Sequence, residues 1–262
     1  MKPPILILHA PGTNRDHDAA QAFALAGGEP TILTLAELGK APSRVLDYRL
    51  VCVPGGFSYG DDLGAGRVLA IELAIVLGDV LREHLARGRP ILGICNGFQA
   101  LVKAGLLPGG EVPGPGPQRA TLARNLRGHF ECRRVVLHPS PTNRSPWITS
   151  LTAPIECPVA HGEGRLVPGD TATAEALRGP LGALRYERGS EADGYPGNPN
   201  GSFDDLAGIT DASGLVLGLM PHPEDAVLAL QEPAHRRSAT PSGPIGTGLA
   251  LFSAGVALAA RT

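Results

Sequence analysis

The chain carries no surplus of positive charge: 23 Lys and Arg stand against 25 Asp and Glu over 262 residues, for a formal net charge of −2. Electrostatic binding to nucleic acid needs a basic face, so this balance argues against a polyanion partner. Paired cysteines are also missing. Cys52, Cys95, Cys132 and Cys157 lie far apart, with no C-x-x-C spacing and no His-rich tract, which indicates neither a zinc site nor a disulfide framework. No stretch reads Gly-x-x-x-x-Gly-Lys-[Ser/Thr], so a phosphate-binding loop of that type is excluded. There is no internal repeat. Long hydrophobic runs are absent too. The opening "MKPPILILHAPG" is broken by Pro11 and Gly12, too short for a signal sequence, and reads as a first strand. The late "GLALFSAGVALAA" is too short to cross a bilayer and is expected to be a terminal helix packed on the core. A cytosolic protein without a membrane partner is expected.

With 43% hydrophobic and 18% charged residues, the composition is that of an ordinary globular protein, and the length suits one domain spanning 1–262. The first hundred residues alternate apolar runs with helix-like ones: "PILILHA", "RDHDAAQAFALAGG", "PTILTL", "YRLVCVPGG", "RVLAIELAIVLGDVLREHLARG", "PILGI" and "CNGFQALVKAGLL". The strand candidates are apolar on successive residues, the pattern of strands covered on both faces. The expected fold class is therefore α/β, a doubly wound, mostly parallel sheet with helices on both faces. After "LLPGGEVPGPGPQRA", a Pro/Gly-rich surface loop, the extended segments "FECRRVVLHPS" and "PIECPVAHGEG" predict an antiparallel edge.

One cysteine sits in a special context. "GICNG", residues 93–97, follows the strand "PILGI" and precedes a helix with apolar Phe98, Leu101, Val102 and Leu106. Strand, sharp turn and helix are the setting of a nucleophile elbow. There the helix N-terminus offers unpaired N–H groups and a positive dipole end that favour thiolate and can donate to an oxyanion. Taken alone, the pentapeptide also fits an inert buried cysteine. A thiolate nucleophile needs a base. Among eight histidines the best placed is His222, in "LVLGLMPHPEDAV", where a strand-like run ends at Met220 and Glu224 follows two residues after the imidazole. By itself "HPE" would suit an exposed turn; joined to the elbow it completes a constellation in the order Cys, His, Glu. In "VPGGFSYGDD", paired glycines after a strand can turn backbone N–H groups inward, as an oxyanion hole requires. Phe57 and Tyr59 suit packing or a lid, and Cys52, Cys132 and Cys157 read as structural.

Together "PGGFSYGD", "GICNGFQAL", "PVAHGEG", "NGSFDDLAGI" and "LGLMPHPE", in order along most of the chain and preceded by "APGTNRDHD", resemble the glutaminase component of phosphoribosylformylglycinamidine synthase, a class I glutamine amidotransferase of purine biosynthesis. The resemblance implies Cys95 as nucleophile, His222 as base and Glu224 as its orienting acid. Gly56 and the backbone N–H of Asn96 match the oxyanion hole, and Gln99 and His161 lie in stretches that border the glutamine pocket. The implied activity is hydrolysis of glutamine, with ammonia passed to a synthetase that converts formylglycinamide ribonucleotide. It implies no cofactor in this chain, ATP and Mg on the synthetase, and as partners a large synthetase subunit with a small accessory one. The tract "LARNLRGHFECRRV" also fits the family, near that pocket or a neighbouring subunit. The family often has Cys where this chain has Arg15, and Arg where it has Asp225; the Pro/Gly-rich loop 108–117 is its own. These departures are expected to bear on partner contacts rather than chemistry.

Two rival readings remain at this stage. One is a peptidase-like hydrolase on the same scaffold, although in such relatives a histidine follows the elbow cysteine and here Asn96 does. The other is a non-catalytic regulatory subunit, although such proteins usually lose a triad member and all three are present.

Overall fold

A computed structural model describes residues 2–109, 114–233 and 245–262. The apolar runs Pro4–His9 (β1), Leu50–Val53 (β3) and Ile91–Ile94 (β4) are strands buried along almost their whole length. Glu29–Thr34 (β2) closes the edge beyond β1 and is half exposed, as an edge strand should be. Between them run Asp16–Leu25 (α1), Leu35–Lys40 (α2), Arg67–Ile75 (α3) and Gly78–Ala86 (α4), with Asn96–Lys103 (α5) directly after β4. α2, which the hydrophobic pattern does not reveal, is set by a capping box between Thr34 and Glu37. The run 67–88, expected as one helix, is two. The break falls at Leu77, fully buried and out of helical register, before Gly78, a poor helix former; Leu77 N–H reaches back five residues to Glu72 O.

The remainder comprises Ala120–Ala123 (β5), Glu131–Pro139 (β6), Pro146–Thr149 (α6), Ile155–His161 (β7), Arg165–Pro168 (β8), Thr171–Arg178 (α7), Gly182–Tyr186 (β9), Leu206–Thr210 (β10), Val216–Leu219 (β11) and Leu249–Ala259 (α8). A nine-stranded sheet runs in the order β2-β1-β3-β4-β11-β10-β9-β6-β7, and β5 and β8 form a separate antiparallel ribbon. From β2 to β11 every pairing is parallel; from β11 to β7 every pairing is antiparallel. Only β10 and β6 point against the rest, so the sheet is mostly parallel in direction, but the antiparallel part is a broad four-strand region rather than a trimmed edge.

Nearly all the buried apolar side chains of the described residues form one continuous cluster. α8 packs on it as expected: Phe252 meets Phe23 of α1 edge to face at 5.0 Å, and Gly255 lies so close to Trp147 that a Cβ there would sit 2.6 Å from the indole. Among the described residues no helix is long and apolar enough to cross a membrane. Of the Pro/Gly-rich loop, residues 110–113 lie outside the described residues.

Three neighbouring parallel strands matter most for function. β3, β4 and β11 lie side by side with Val53 opposite Gly93 and Gly93 opposite Gly218. Their carboxyl ends therefore finish at one level, and the loops that follow each strand meet there, where open α/β sheets place their ligands.

Candidate active site

Cys95 stands between β4 and α5 with φ 49° and ψ −105°, a region that residues with a side chain rarely occupy. Its N–H donates to Leu219 O at 2.8 Å, which fixes the elbow to β11. The flanking glycines have a steric role. A Cβ on Gly97 would lie 1.8 Å from Val53 O, so the first turn of α5 can approach the end of β3 only without a side chain. Cys95 is 5% exposed, and its Sγ lies 3.7 Å from Ala160 O at the end of β7, which returns across this end of the sheet.

His222 follows β11, and its N–H donates to Pro158 O of β7 at 2.8 Å. Its Nδ1 lies 2.7 Å from Glu224 Oε1, and both side chains are buried. Burial alone would lower the imidazole pKa, but Glu224 and the neighbouring Cys95 sulfur outweigh it and hold His222 well above the ordinary histidine value. With Nδ1 committed to the carboxylate, Nε2 is the nitrogen left for Cys95. The three residues singled out in the sequence are thus brought together. The other thiols stand apart chemically: burial pushes Cys52 and Cys157 well above the usual thiol range, with Glu224 adding to it. Cys132 is exposed on β6 rather than built into the core.

The loop after β3 supplies the third component. Gly56 has φ +143° and bridges Thr13, and Phe57 N–H donates to Gly12 O at 3.0 Å. Among the described residues, neither the Gly56 N–H nor the Asn96 N–H has an acceptor, and Gly56 lines the same cavity as Cys95. Gly55 abuts the base: a Cβ there would come 2.7 Å from His222 Cε1. The Asn96 side chain ties this loop to the elbow. Its Oδ1 accepts from Ser58 N–H at 3.1 Å and from Ser58 Oγ–H at 2.5 Å, while its Nδ2 donates to Asp61 Oδ1 and Gln99 Oε1, each at 3.0 Å. Sequence reasoning used only the backbone of Asn96 and missed this role.

The cavity over Cys95 has a volume of about 280 Å³. Gln99 and His161 both line it. Gln99 Nε2 donates to Glu163 O at 2.6 Å, so its amide is a fixed wall. Burial, then the neighbouring His222, lowers His161 to about 4, which makes it a neutral ring. Its Nδ1 donates to Asn125 Oδ1 at 3.1 Å, since that oxygen also accepts from Gly164 N–H and the Asn125 amide donates to His161 O. Asp61, Arg124, His129 and Glu163 complete the polar lining, and none of them stood out in the sequence. Glu163 is held beside Lys103, and burial, with Glu163 adding to it, raises the Asp61 carboxyl. The one available signal was "ARN" within the tract 122–135, which carries Arg124 and Asn125. Phe57 lines the cavity and is 46% exposed, whereas the Tyr59 hydroxyl donates to Glu72 Oε2 at 2.5 Å, away from it. Among the described residues no cluster of three or more His, Cys, Asp or Glu could hold a metal ion. Arg15 and Asp225 lie beside the triad and pair with each other, Nη1 to Oδ1 at 3.3 Å.

Residues 2–258 match the CobB/CobQ-like glutamine amidotransferase domain. The chain is 46% identical over 244 residues to a Treponema denticola protein named phosphoribosylformylglycinamidine synthase subunit PurQ, covering 87% of this chain and 90% of that one. To the protein of the same name from Dehalococcoides mccartyi it is 42% identical over 250 residues, covering 95% and 94%. In three dimensions it is similar to a chain in the structure of PurLQS from Thermotoga maritima, with a TM-score of 0.73 and 32% identity over 98% of this chain and 99% of that one. A glutamine amidotransferase from Thermotoga maritima, at 17% identity and a TM-score of 0.51 over 88% and 79% of the two chains, shares the fold.

Proposed function

The chain belongs to the CobB/CobQ-like glutamine amidotransferase domain family, and on that premise we propose that Cys95, His222 and Glu224 carry its glutamine hydrolysis. It is the glutaminase subunit of phosphoribosylformylglycinamidine synthase, supplying ammonia for conversion of formylglycinamide ribonucleotide to the amidine on the large synthetase subunit. The observation that carries the assignment of roles is the strained Cys95 elbow set against a buried His222–Glu224 pair at 2.7 Å.

The Cys95 thiolate attacks the side-chain amide carbon of glutamine and forms a C–S bond. Charge moves onto the amide oxygen, where the N–H groups of Gly56 and Asn96 are free to receive it. Donors of this kind each contribute roughly a hundredfold to a thousandfold in rate. His222, as imidazolium, gives its Nε2 proton to the departing nitrogen; the C–N bond breaks, and ammonia leaves. The neutral imidazole then takes a proton from water, whose oxygen attacks the thioester carbonyl; glutamate and thiolate result. Glu224 keeps Nδ1 protonated and the ring aimed at sulfur. Gln99 and the neutral His161 shape the pocket around the substrate. In this reading ATP and Mg²⁺ are used on the synthetase subunit, and a small accessory subunit completes the assembly.

A glutaminase that ran unchecked would waste glutamine, so the isolated chain is expected to be slow and to accelerate when a synthetase loaded with ATP and acceptor binds. The lever is the Gly55–Gly56 peptide: turning it breaks the 3.3 Å bond from Arg15 N–H to Gly55 O, so contact of the synthetase with this loop sets how the Gly56 N–H is presented. Steady-state glutamate release by the chain alone, with the synthetase, and with the synthetase plus ATP and acceptor tests this. A rate that is high alone and indifferent to every addition would contradict the coupling.

A further inference from the structure

Arg15 and Asp225 belong to segments that the mechanism keeps apart. Arg15 ends the loop after β1, and its N–H donates to Gly55 O at 3.3 Å, next to the Thr13–Gly56 bridge. The Arg15 side chain also runs along this loop, its Cγ 3.5 Å from where a Gly55 Cβ would be. Asp225 follows Glu224 on the turn that presents the base, and its N–H donates to His222 O at 3.2 Å. The guanidinium spans the two segments, with Nη1 3.3 Å from Asp225 Oδ1 and 3.1 Å from Asp18 Oδ2 of α1.

We propose that the Arg15–Asp225 ion pair is a positioning device that locks the oxyanion loop to the turn bearing His222 and cancels a second carboxylate beside the base. This rests on the triad reading above.

The charges around the base make the second role necessary. His222 faces Glu224, the Cys95 sulfur and the neutral His161, with the Cys52 and Cys157 thiols behind Glu224 and with Asp225, Arg15 and Asp18 on the outer side. Glu224 Oε2 is buried with no hydrogen-bond partner among the described residues, so its charge is little screened. Burial and Glu224 push the Asp225 carboxyl up, and Arg15 pulls it back. Without Arg15, a half-buried carboxylate would add to Glu224 and favour imidazolium further; without Asp225, Arg15 would disfavour it.

The test uses the full chain as wild type, Arg15→Ala, Arg15→Lys, Asp225→Asn and the double variant Arg15→Ala/Asp225→Asn. Two quantities are read: the pH profile of glutamine hydrolysis, and the titration of the His222 imidazole by NMR. The titration needs no turnover and so separates failure of this proposal from failure of the triad reading. The His222 titration should move to higher pH in Arg15→Ala, to lower pH in Asp225→Asn, and return towards wild type in the double variant. Arg15→Lys should keep the wild-type position. For Arg15→Ala, kcat should fall by about tenfold with KM little changed, the loss expected of a misplaced transition-state contact. Titrations and kcat unchanged in every variant would overturn the proposal. So would shifts in the same direction for both single variants, which a merely structural loss would give. Should Arg15→Ala fail to fold, a wild-type titration in Arg15→Lys beside a shift to lower pH in Asp225→Asn supports the proposal, and an unshifted Asp225→Asn overturns it.

Discussion

Replacing Cys95 by alanine or serine is expected to remove glutamine-dependent synthesis by the assembled enzyme and to leave ammonia-dependent synthesis intact. Only the first reaction needs a sulfur nucleophile, and the elbow at φ 49° presents one sulfur to the cavity. Loss of a nucleophile that acts as a unit with its base costs roughly 10⁴–10⁶ in kcat. Serine should not rescue. Its hydroxyl is far less acidic than a thiol, and a site arranged around a thiolate–imidazolium pair does not generate the alkoxide. Amidine formation measured with glutamine and with ammonium as nitrogen source separates the two activities. Glutamine-dependent synthesis at the wild-type rate in Cys95→Ala would contradict the assignment.

His222→Ala should be nearly as damaging as loss of Cys95, whereas Glu224→Gln should retain roughly a hundredfold more activity than His222→Ala, because the carboxylate orients the ring and transfers no proton. The pH dependence gives the sign. Glu224 and the Cys95 sulfur hold His222 above its ordinary value, against burial, so the imidazolium that protonates the leaving nitrogen persists through neutral pH. The alkaline limb of kcat/KM should therefore lie above the ordinary histidine value of about 6.5. In Glu224→Gln that limb should move to lower pH, since the neutral amide no longer favours the charged ring. Wild-type activity in His222→Ala would place the base elsewhere. His161 would be a poor substitute: burial holds it neutral, and its Nδ1 proton is committed to Asn125.

Much of this was legible because it follows from local chain chemistry. Continuous apolar runs such as "PILILH" and "LVCV" require cover on both faces, and a parallel sheet supplies it. "GICNG" announces the elbow because glycine alone fits where a Cβ would lie 1.8 Å from Val53 O. The break at Leu77 was hidden because its cause is burial of one leucine by the tertiary fold. β9 and β10 were missed as well: "GALRY" and "LAGIT" are short, and their pairing is decided by distant partners. Asn96, Asn125 and the Arg15–Asp225 pair escaped for the same reason. The contacts that give them their roles, Asn96 to Ser58, Asn125 to His161 and Arg15 to Asp225, span 36 to 210 residues, and nothing in the residues around them records those contacts.

The central claim is a covalent glutamyl intermediate on Cys95. Acid-quenching the assembled enzyme during steady turnover of glutamine, followed by peptide mass mapping, tests it directly. One glutamyl group should be found on the peptide containing Cys95, and it should be absent when glutamine is omitted and in His222→Ala under the same brief exposure. Cys132, although exposed, should stay unmodified, as should the buried Cys52 and Cys157. Sustained ammonia release with the adduct on Cys132, or on no cysteine at all, would contradict the account.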